Sequence, residues 1–271
     1  MSKDEPFIFS IIGLGRVGVT LLQALDSIGG ICSGVVSSSL KDVSVPSGQK
    51  IKISRSVSDL DAGEYCFIAV PDDAIQSVTH KLTSNHTINS AKVVSHLSGT
   101  KSSKMLSELS IPVASCHPMN TFKLGAQSNI FNNILVSIEG DKRAVELLIP
   151  LMKRIGAHPR EVTQSDKERL HIAGVIVSNF MSALVFYAAQ VVSVVDPDPV
   201  NFIRREFGPL MEQTLRNILD EGYPSALTGP ASRGDKDTTL SHLQLLINNN
   251  INDKVYLELT ELIIRYSSQK Q

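Results

Sequence analysis

A short apolar run, Phe7–Ile12 (FIFSII), ends in Gly13-Leu14-Gly15-Arg16-Val17-Gly18. Apolar residues then recur at helical spacing to Ile28, where Gly29-Gly30 stops the pattern. Strand, glycine loop and helix in that order constrain the fold more than any other feature of the chain. In a GxGxxG loop the first glycine permits the tight turn. The second lets a pyrophosphate approach the backbone, and the third lets helix and strand pack closely. The helix start adds free N–H groups and positive potential for an anion. Gly13, Gly15 and Gly18, with Leu14, Arg16 and Val17 between them, are therefore candidate dinucleotide-binding residues.

The rest of the first half continues the alternation. Ile31–Val36, Lys50–Ser54, Tyr65–Val70, Lys92–Leu97, Val113–His117, Ile134–Glu139 and His158–Val162 read as strands, and Asp72–Leu82 and Ala144–Ile155 as helices, with Asp72 as a cap. This pattern predicts an α/β fold, a doubly wound parallel sheet with helices on both faces. Beyond Thr163 no strand pattern remains. Ser165–Val194, Val200–Glu221, Thr238–Asn248 and Lys254–Ser267 read as helices. The expected domains are a Rossmann unit over 1–162 and an all-α unit over 163–271.

An acid about 20 residues past the first glycine holds a ribose diol. Here that place reads Val35-Val-Ser-Ser-Ser-Leu-Lys41, with no acid before Asp42. Hydroxyls and a cation suit a 2′-phosphate, so NADP is expected ahead of NAD, with Ser37, Ser38, Ser39 and Lys41 as its candidates. Val70 and Pro71, after the fourth strand, are placed for backbone contact with the cofactor.

Ligands of such sheets bind beyond the carboxyl ends of the strands. Ser95-His96-Leu-Ser98-Gly99 and Ser115-Cys-His117-Pro-Met119 end two of them. His96 and His117 are candidate proton carriers, since histidine can donate or accept near neutral pH. Ser98 shares a strand side with His96 and is a candidate cofactor contact. In the second half, His171, Ser178 and Ser182 lie within roughly 20° of one helix face, with Asn179 at its border. His171 and Asn179 join the catalytic candidates and Ser178 the substrate-binding ones. The loop Thr228-Gly-Pro-Ala-Ser-Arg233-Gly-Asp235 reads either as an anion clamp through Thr228 and Arg233 or as an Arg–Asp turn.

Composition excludes other classes. The 26 Lys+Arg against 27 Asp+Glu leave no basic excess for a phosphate backbone, so no nucleic-acid partner is expected. Three cysteines, Cys32, Cys66 and Cys116, lack CxxC or Cys/His spacing; this predicts no metal and a reducing, cytoplasmic setting. The MSKDE start has the wrong flanks for a secretory signal. From Leu170 to Val195 no charged residue occurs, a length that would nominate a membrane span. His171, Ser178, Asn179, Ser182, Gln190 and Ser193 argue against lipid. The expectation is a buried core helix at the heart of the helical domain and of a homodimer.

The segments GLGRVG (13–18), VPDDAI (70–75), SHLSG (95–99), CHPMNTF (116–122), DKERLHIAGVIVSN (166–179) and ALTGPASRGD (226–235) together carry a resemblance spanning nearly the whole chain. The chain resembles the bacterial NADP-binding Rossmann-like proteins with a C-terminal helical domain of unknown function. More distantly it is similar to pyrroline-5-carboxylate reductase, prephenate dehydrogenase and the β-hydroxyacid dehydrogenases, whose helical domain is of the 6-phosphogluconate dehydrogenase C-terminal type. The resemblance implies a helical domain that builds a dimer and closes an active site. β-Hydroxyacid dehydrogenases carry a lysine one turn before an asparagine on the long helix; here Asn179 is present, but position 175 is Val. The expected activity is NADP-dependent hydride transfer to or from a small C=O or C=N substrate in an interdomain cleft bordered by His117, Asn179 and Arg233. The alternative is a dinucleotide-binding sensor without turnover.

Overall fold

The structure is a computed structural model that describes residues 6–85, 87–88, 90–123, 128–223 and 225–267. The acidic first residues and Pro224 lie outside them. The chain divides into two compact units, Met1–Ser178 and Asn179–Gln271. By its contacts the first unit runs past the change of periodicity at 162/163 and takes in the helix that follows.

Within the first unit an eight-stranded sheet comprises β1 (Phe7–Ile12), β2 (Gly30–Val36), β3 (Ile53–Ser54), β4 (Tyr65–Ile68), β5 (Val93–His96), β6 (Val113–Pro118), β7 (Leu135–Gly140) and β8 (His158–Glu161). The strands lie in the order β3-β2-β1-β4-β5-β6-β7-β8. Side chains alternate between faces along each strand. Phe7, Phe9 and Ile11 of β1 and Phe67 of β4 join one core with helices α1 (Arg16–Ser27) and α3 (Lys142–Arg154). Ile12 and Ile68 join the other, with α2 (Ile75–Asn85). The doubly wound α/β reading therefore holds.

One expectation needs correction. β1 to β6 are parallel, but β7 runs antiparallel to β6, with His117 opposite Ser137, and β8 is parallel to β7. The sheet is mixed rather than wholly parallel. A parallel return needs a crossover, usually a helix. Between β6 and β7 the described residues form only one short 3₁₀ turn, Ser128–Phe131.

Helix α4 (Gln164–Val175) closes the first unit and passes through a π-helical turn, Ile176–Phe180, into α5 (Met181–Val191). The second unit continues with α6 (Pro199–Glu206), α7 (Gly208–Glu221), α8 (Pro230–Arg233), α9 (Lys236–Asn248) and α10 (Asp253–Ser267). It is helical among its described residues. The expected single helix over 200–221 is broken at Phe207-Gly208-Pro209, because proline removes an N–H and restricts its neighbour.

The expectation of a buried long helix is overturned for the single chain. Among residues 170–195 only Ala189 is buried, while Val177 is 70% and Phe186 59% exposed. By length and composition alone, Gln164–Val191 is apolar enough to cross a membrane.

Candidate functional site

The chain goes out from β1 to β2 and β3 and then returns to β4, so β1 and β4 flank the point where strand order reverses. The glycine loop sits there. Gly13 has φ +103°, and a Cβ on it would meet the Ala69 carbonyl oxygen at 2.6 Å. A Cβ on Gly18 would lie 2.0 Å from the Gly13 carbonyl oxygen and 3.2 Å from the Ala69 Cβ. Gly15 differs: nothing lies within 4 Å of its Cβ position. It caps α1 with no side-chain hydrogen bond and no acid in the first turn. The backbone is thus closed behind Gly13 and Gly18 and open at Gly15, on the side of the free helix N–H groups. That arrangement fits a pyrophosphate. Leu14 is buried, Arg16 and Pro71 exposed, and Val17 and Val70 half-buried.

At the ends of β2 and β3 the serine run divides. The Ser37 hydroxyl accepts the Leu40 N–H at 3.1 Å and shapes a turn, with its side chain buried. Ser38 and Lys41 are exposed and Ser39 also faces solvent. The structure adds a cation that sequence reading missed. Arg55, just past β3, donates from its guanidinium to the Ser37 carbonyl at 3.0 Å and to that of Ser38. Its place was hidden because β3 is only two residues long and pairs late with β2.

The histidines separate by geometry. His96, fully buried, uses both ring nitrogens: Nε2 donates to the Ser102 carbonyl at 3.0 Å, and Nδ1 accepts the Ser98 N–H at 3.2 Å. Burial pushes its pKa down to about 4, so the neutral ring is a backbone clasp. The Ser98 hydroxyl oxygen is spent on the same turn, accepting the Thr100 and Lys101 N–H groups. His117, at the end of β6, lies 5.6 Å ring to ring from His171 of α4 in an edge-on arrangement. Its Nδ1 is buried with no partner among the described residues. Burial, followed by the charges of His171 and Lys167, pushes its pKa down to about 4. Gly99 makes the pairing possible. A Cβ there would lie 2.4 Å from His171 Nδ1 and 2.8 Å from His117 Nε2.

Lys167 was also missed. It sits one turn before His171 on α4 and is 1% exposed, its Nζ donating to the Lys101 carbonyl. Burial pushes its pKa down to about 8, against the pull of Glu139 and Asp72. In the run Asp166-Lys-Glu-Arg169 it reads as one solvated charge among four; the only signal was its four-residue spacing from His171. Asp72 does not cap a helix as expected. Pro71 holds that position, and the Asp72 carboxylate accepts the Thr100 hydroxyl at 2.7 Å.

In the second unit Asn179 lies in the π-helical turn, a feature frequent at functional sites, and its side chain is exposed. The expected polar stripe is drawn at about 100° per residue, and the π-helical turn Ile176–Phe180 within it turns by less than that. At 228–235, where the sequence leaves both an anion clamp and an Arg–Asp turn open, no Arg233–Asp235 ion pair forms among the described residues. Asp235 caps α9, accepting the Thr238 N–H at 3.0 Å and hydroxyl at 2.7 Å. Gly234 takes the left-handed conformation that ends α8, and Thr228 and Arg233 are exposed.

Burial pushes the thiols of Cys32 and Cys116 up to about 12 and that of Cys66 to about 11, so none is a ready nucleophile. Among the described residues no group of His, Cys, Asp and Glu could hold a metal.

A family model for a Rossmann-like domain matches residues 3–120, and the model "Domain of unknown function (DUF2520)" matches residues 134–263. No curated protein matches the chain in sequence. Solved structures share the fold. A candidate NADP oxidoreductase, BF3122, from Bacteroides fragilis is 18% identical with a TM-score of 0.76, over 96% of this chain and 98% of that one. Protein TM1727 from Thermotoga maritima is 22% identical with a TM-score of 0.70, over 97% and 99%. An imine reductase from Myxococcus stipitatus, solved with NADP+, is 15% identical with a TM-score of 0.61, over 95% and 93%.

Proposed function

For a chain that joins a Rossmann-like domain to a DUF2520 domain, we propose the activity of an NADP-dependent oxidoreductase acting on a small C=O or C=N compound, or on its reduced form. The observation that carries this reading is the His117–His171 pair beside Gly99, at the same carboxyl edge of the sheet as the open flank of Gly15. A proton-carrying group and a pyrophosphate cradle on one edge are what hydride chemistry requires of a protein.

A bound nicotinamide dinucleotide supplies or takes the hydride. The chain supplies position and the proton. Gly15 and the start of α1 hold the pyrophosphate. Arg55, Lys41, Ser38 and Ser39 favour the 2′-phosphate of NADP over the bare diol of NAD, since no acid stands at the end of β2. His117, neutral at pH 7, takes the substrate's proton in the oxidising direction and passes it to His171; in the reducing direction the same pair carries a proton inward. We assign Asn179, Ser178, Thr228 and Arg233 to the substrate, which this reading places between the two units. His96 and Ser98 support the site through the backbone.

The exposed apolar side chains of α5 are assigned to a second copy of the chain rather than to lipid, because Ser182 and Gln190 interrupt them and Asn179 precedes them. Free, buried cysteines agree with a reducing, cytoplasmic setting.

The test combines binding and turnover. NADPH and NADH affinities are measured for the wild type and for Arg55→Ala, and NADPH oxidation is followed against pooled keto acids, aldehydes and cyclic imines. We expect NADPH to bind at least tenfold tighter than NADH and Arg55→Ala to remove most of that difference. His117→Asn should lower turnover about 100-fold. Tight NADPH binding with no turnover on any pool would leave a dinucleotide sensor and refute the enzyme. Equal affinity for the two cofactors would refute the phosphate role of Arg55.

A further inference from the structure

The turn Ser98–Ser102 is held from several sides at once. The Ser115 hydroxyl donates to the Ser98 carbonyl at 3.1 Å, from β6. The Asp72 carboxylate takes the Thr100 hydroxyl at 2.7 Å, from the end of β4. Glu139 on β7 accepts the Ser103 N–H at 2.9 Å and the hydroxyls of Ser103 and Ser102 at 2.6 and 3.4 Å. His96 holds the Ser102 carbonyl from β5. Among the described residues the tie from an α-helix is Lys167, whose buried ammonium donates to the Lys101 carbonyl.

We propose that Lys167 is a positioning residue: by clamping α4 onto the Ser98–Ser102 turn it sets the approach of His171 to His117 across Gly99. Lys167 and His171 are four residues apart and share a helix face, so fixing one fixes the height and rotation of the other. The turn in turn places Gly99, whose missing Cβ is the gap that both rings fill. A lysine suits this role because its charge is answered by Glu139 and Asp72, which bind the same turn; an apolar side chain would leave two carboxylates facing a loop with one carbonyl unpaired. The charged or titratable groups that act on Lys167 or His117 are Asp72, His96, Cys116, Glu139, Glu168 on its own helix, and His171. Of these only Asp72 and Glu139 answer its charge across the turn.

The inference rests on the reading of His117 and His171 as the proton-carrying pair, but its test does not need turnover. Long-range ¹H–¹⁵N spectra of the histidine rings are recorded across pH on the full chain, for the wild type and for Lys167→Met, Lys167→Gln and Lys167→Arg. Lys167→Gln keeps an N–H donor without the charge and stands in if Lys167→Met does not fold. In either neutral variant, the ring signals of His117 and His171 should shift together. The His117 midpoint should rise from about 4 toward the ordinary histidine range, as a nearby cation is lost and the turn loosens. His80 and His158, which are exposed and pair with Glu108 and Asn133 rather than with the turn, should keep their signals, and Lys167→Arg should restore most of the wild-type pattern. If a folded neutral variant leaves the His117 and His171 signals and midpoints unchanged, Lys167 does not position the pair. A chain with no turnover would refute the oxidoreductase reading and leave this result standing.

Discussion

Two glycines three residues apart in one loop are expected to fail in opposite ways when given a methyl group. At Gly18 the new Cβ would lie 2.0 Å from a backbone carbonyl oxygen, with the Ala69 Cβ at 3.2 Å on another side. No rotamer relieves a contact between backbone and Cβ, so α1 must lift from β1. Helix propensity returns about 1 kcal/mol to alanine. Overpacking of this severity costs about 3 kcal/mol or more. The net loss for Gly18→Ala is about 2 kcal/mol, a fall of about 4–8 °C in Tm for a unit of this size. At Gly15 nothing lies within 4 Å and φ is −73°, open to any residue. Alanine there gives up about 0.5–1 kcal/mol as a helix cap and regains about 0.4–1 kcal/mol from the stiffer unfolded chain. Stability should move by no more than about 0.5 kcal/mol. The methyl group would stand where the pyrophosphate approaches, so NADPH affinity should fall at least tenfold, about 1.4 kcal/mol. Thermal unfolding and NADPH fluorescence titration read both quantities. The reasoning fails if Gly15→Ala is as destabilised as Gly18→Ala, or if it binds NADPH like the wild type.

Acid should weaken the fold before any carboxylate titrates. His96 and His117 are held near 4 in the folded chain and return to about 6.5 when it unfolds. Between those values the unfolded state binds more protons, so stability is full above pH 6.5 and is lost as pH falls toward 4. Going from pH 7 to 5 should cost about 2 kcal/mol per histidine; a urea midpoint unchanged over that range would contradict it. Light scattering without detergent should give two chains at micromolar concentration, and Leu184→Glu, on the exposed face of α5, should give one. A wild-type monomer would refute the homodimer.

The sequence made the first unit legible wherever periodicity and glycine chemistry act locally. FIFSII followed by GLGRVG specifies strand, turn and helix within twenty residues, and each glycine meets the surroundings its role requires. Strand direction was not legible from apolar runs, because β7 buries its side chains equally well in either direction. The sign that it reverses was negative, a connection after Met119 with no helical pattern. Single histidines could be nominated, but not the contact between His117 and His171, which depends on α4 lying beside β6. Lys167 was hidden because charge at a helix start ordinarily faces water. The charge-free stretch reads as an interior helix because hydrophobicity shows that a face needs cover, not whether the cover comes from the same chain.

The reversal of β7 and β8 has a consequence for how this chain tolerates changes in length. Because β8 ends at the edge of the sheet opposite the carboxyl ends of β1 to β6, α4 must run the depth of the sheet to bring His171 to His117. It does so packed on β7, meeting the end of β6 at His117. Lys167 lies by Glu139, which pairs with Ser115; His171 meets His117; Gly174 meets Met119. Four helical residues rise about 6 Å and two strand residues about 6.6 Å. Between the first two of these levels, helix and strand therefore act as two rulers with different graduations that agree. A substitution leaves the agreement intact. Deleting one residue from 168–170 would swing His171 by about 100° relative to Lys167, and deleting Cys116 would turn His117 to the opposite face. Insertions and deletions between these marks are the changes this site can absorb least.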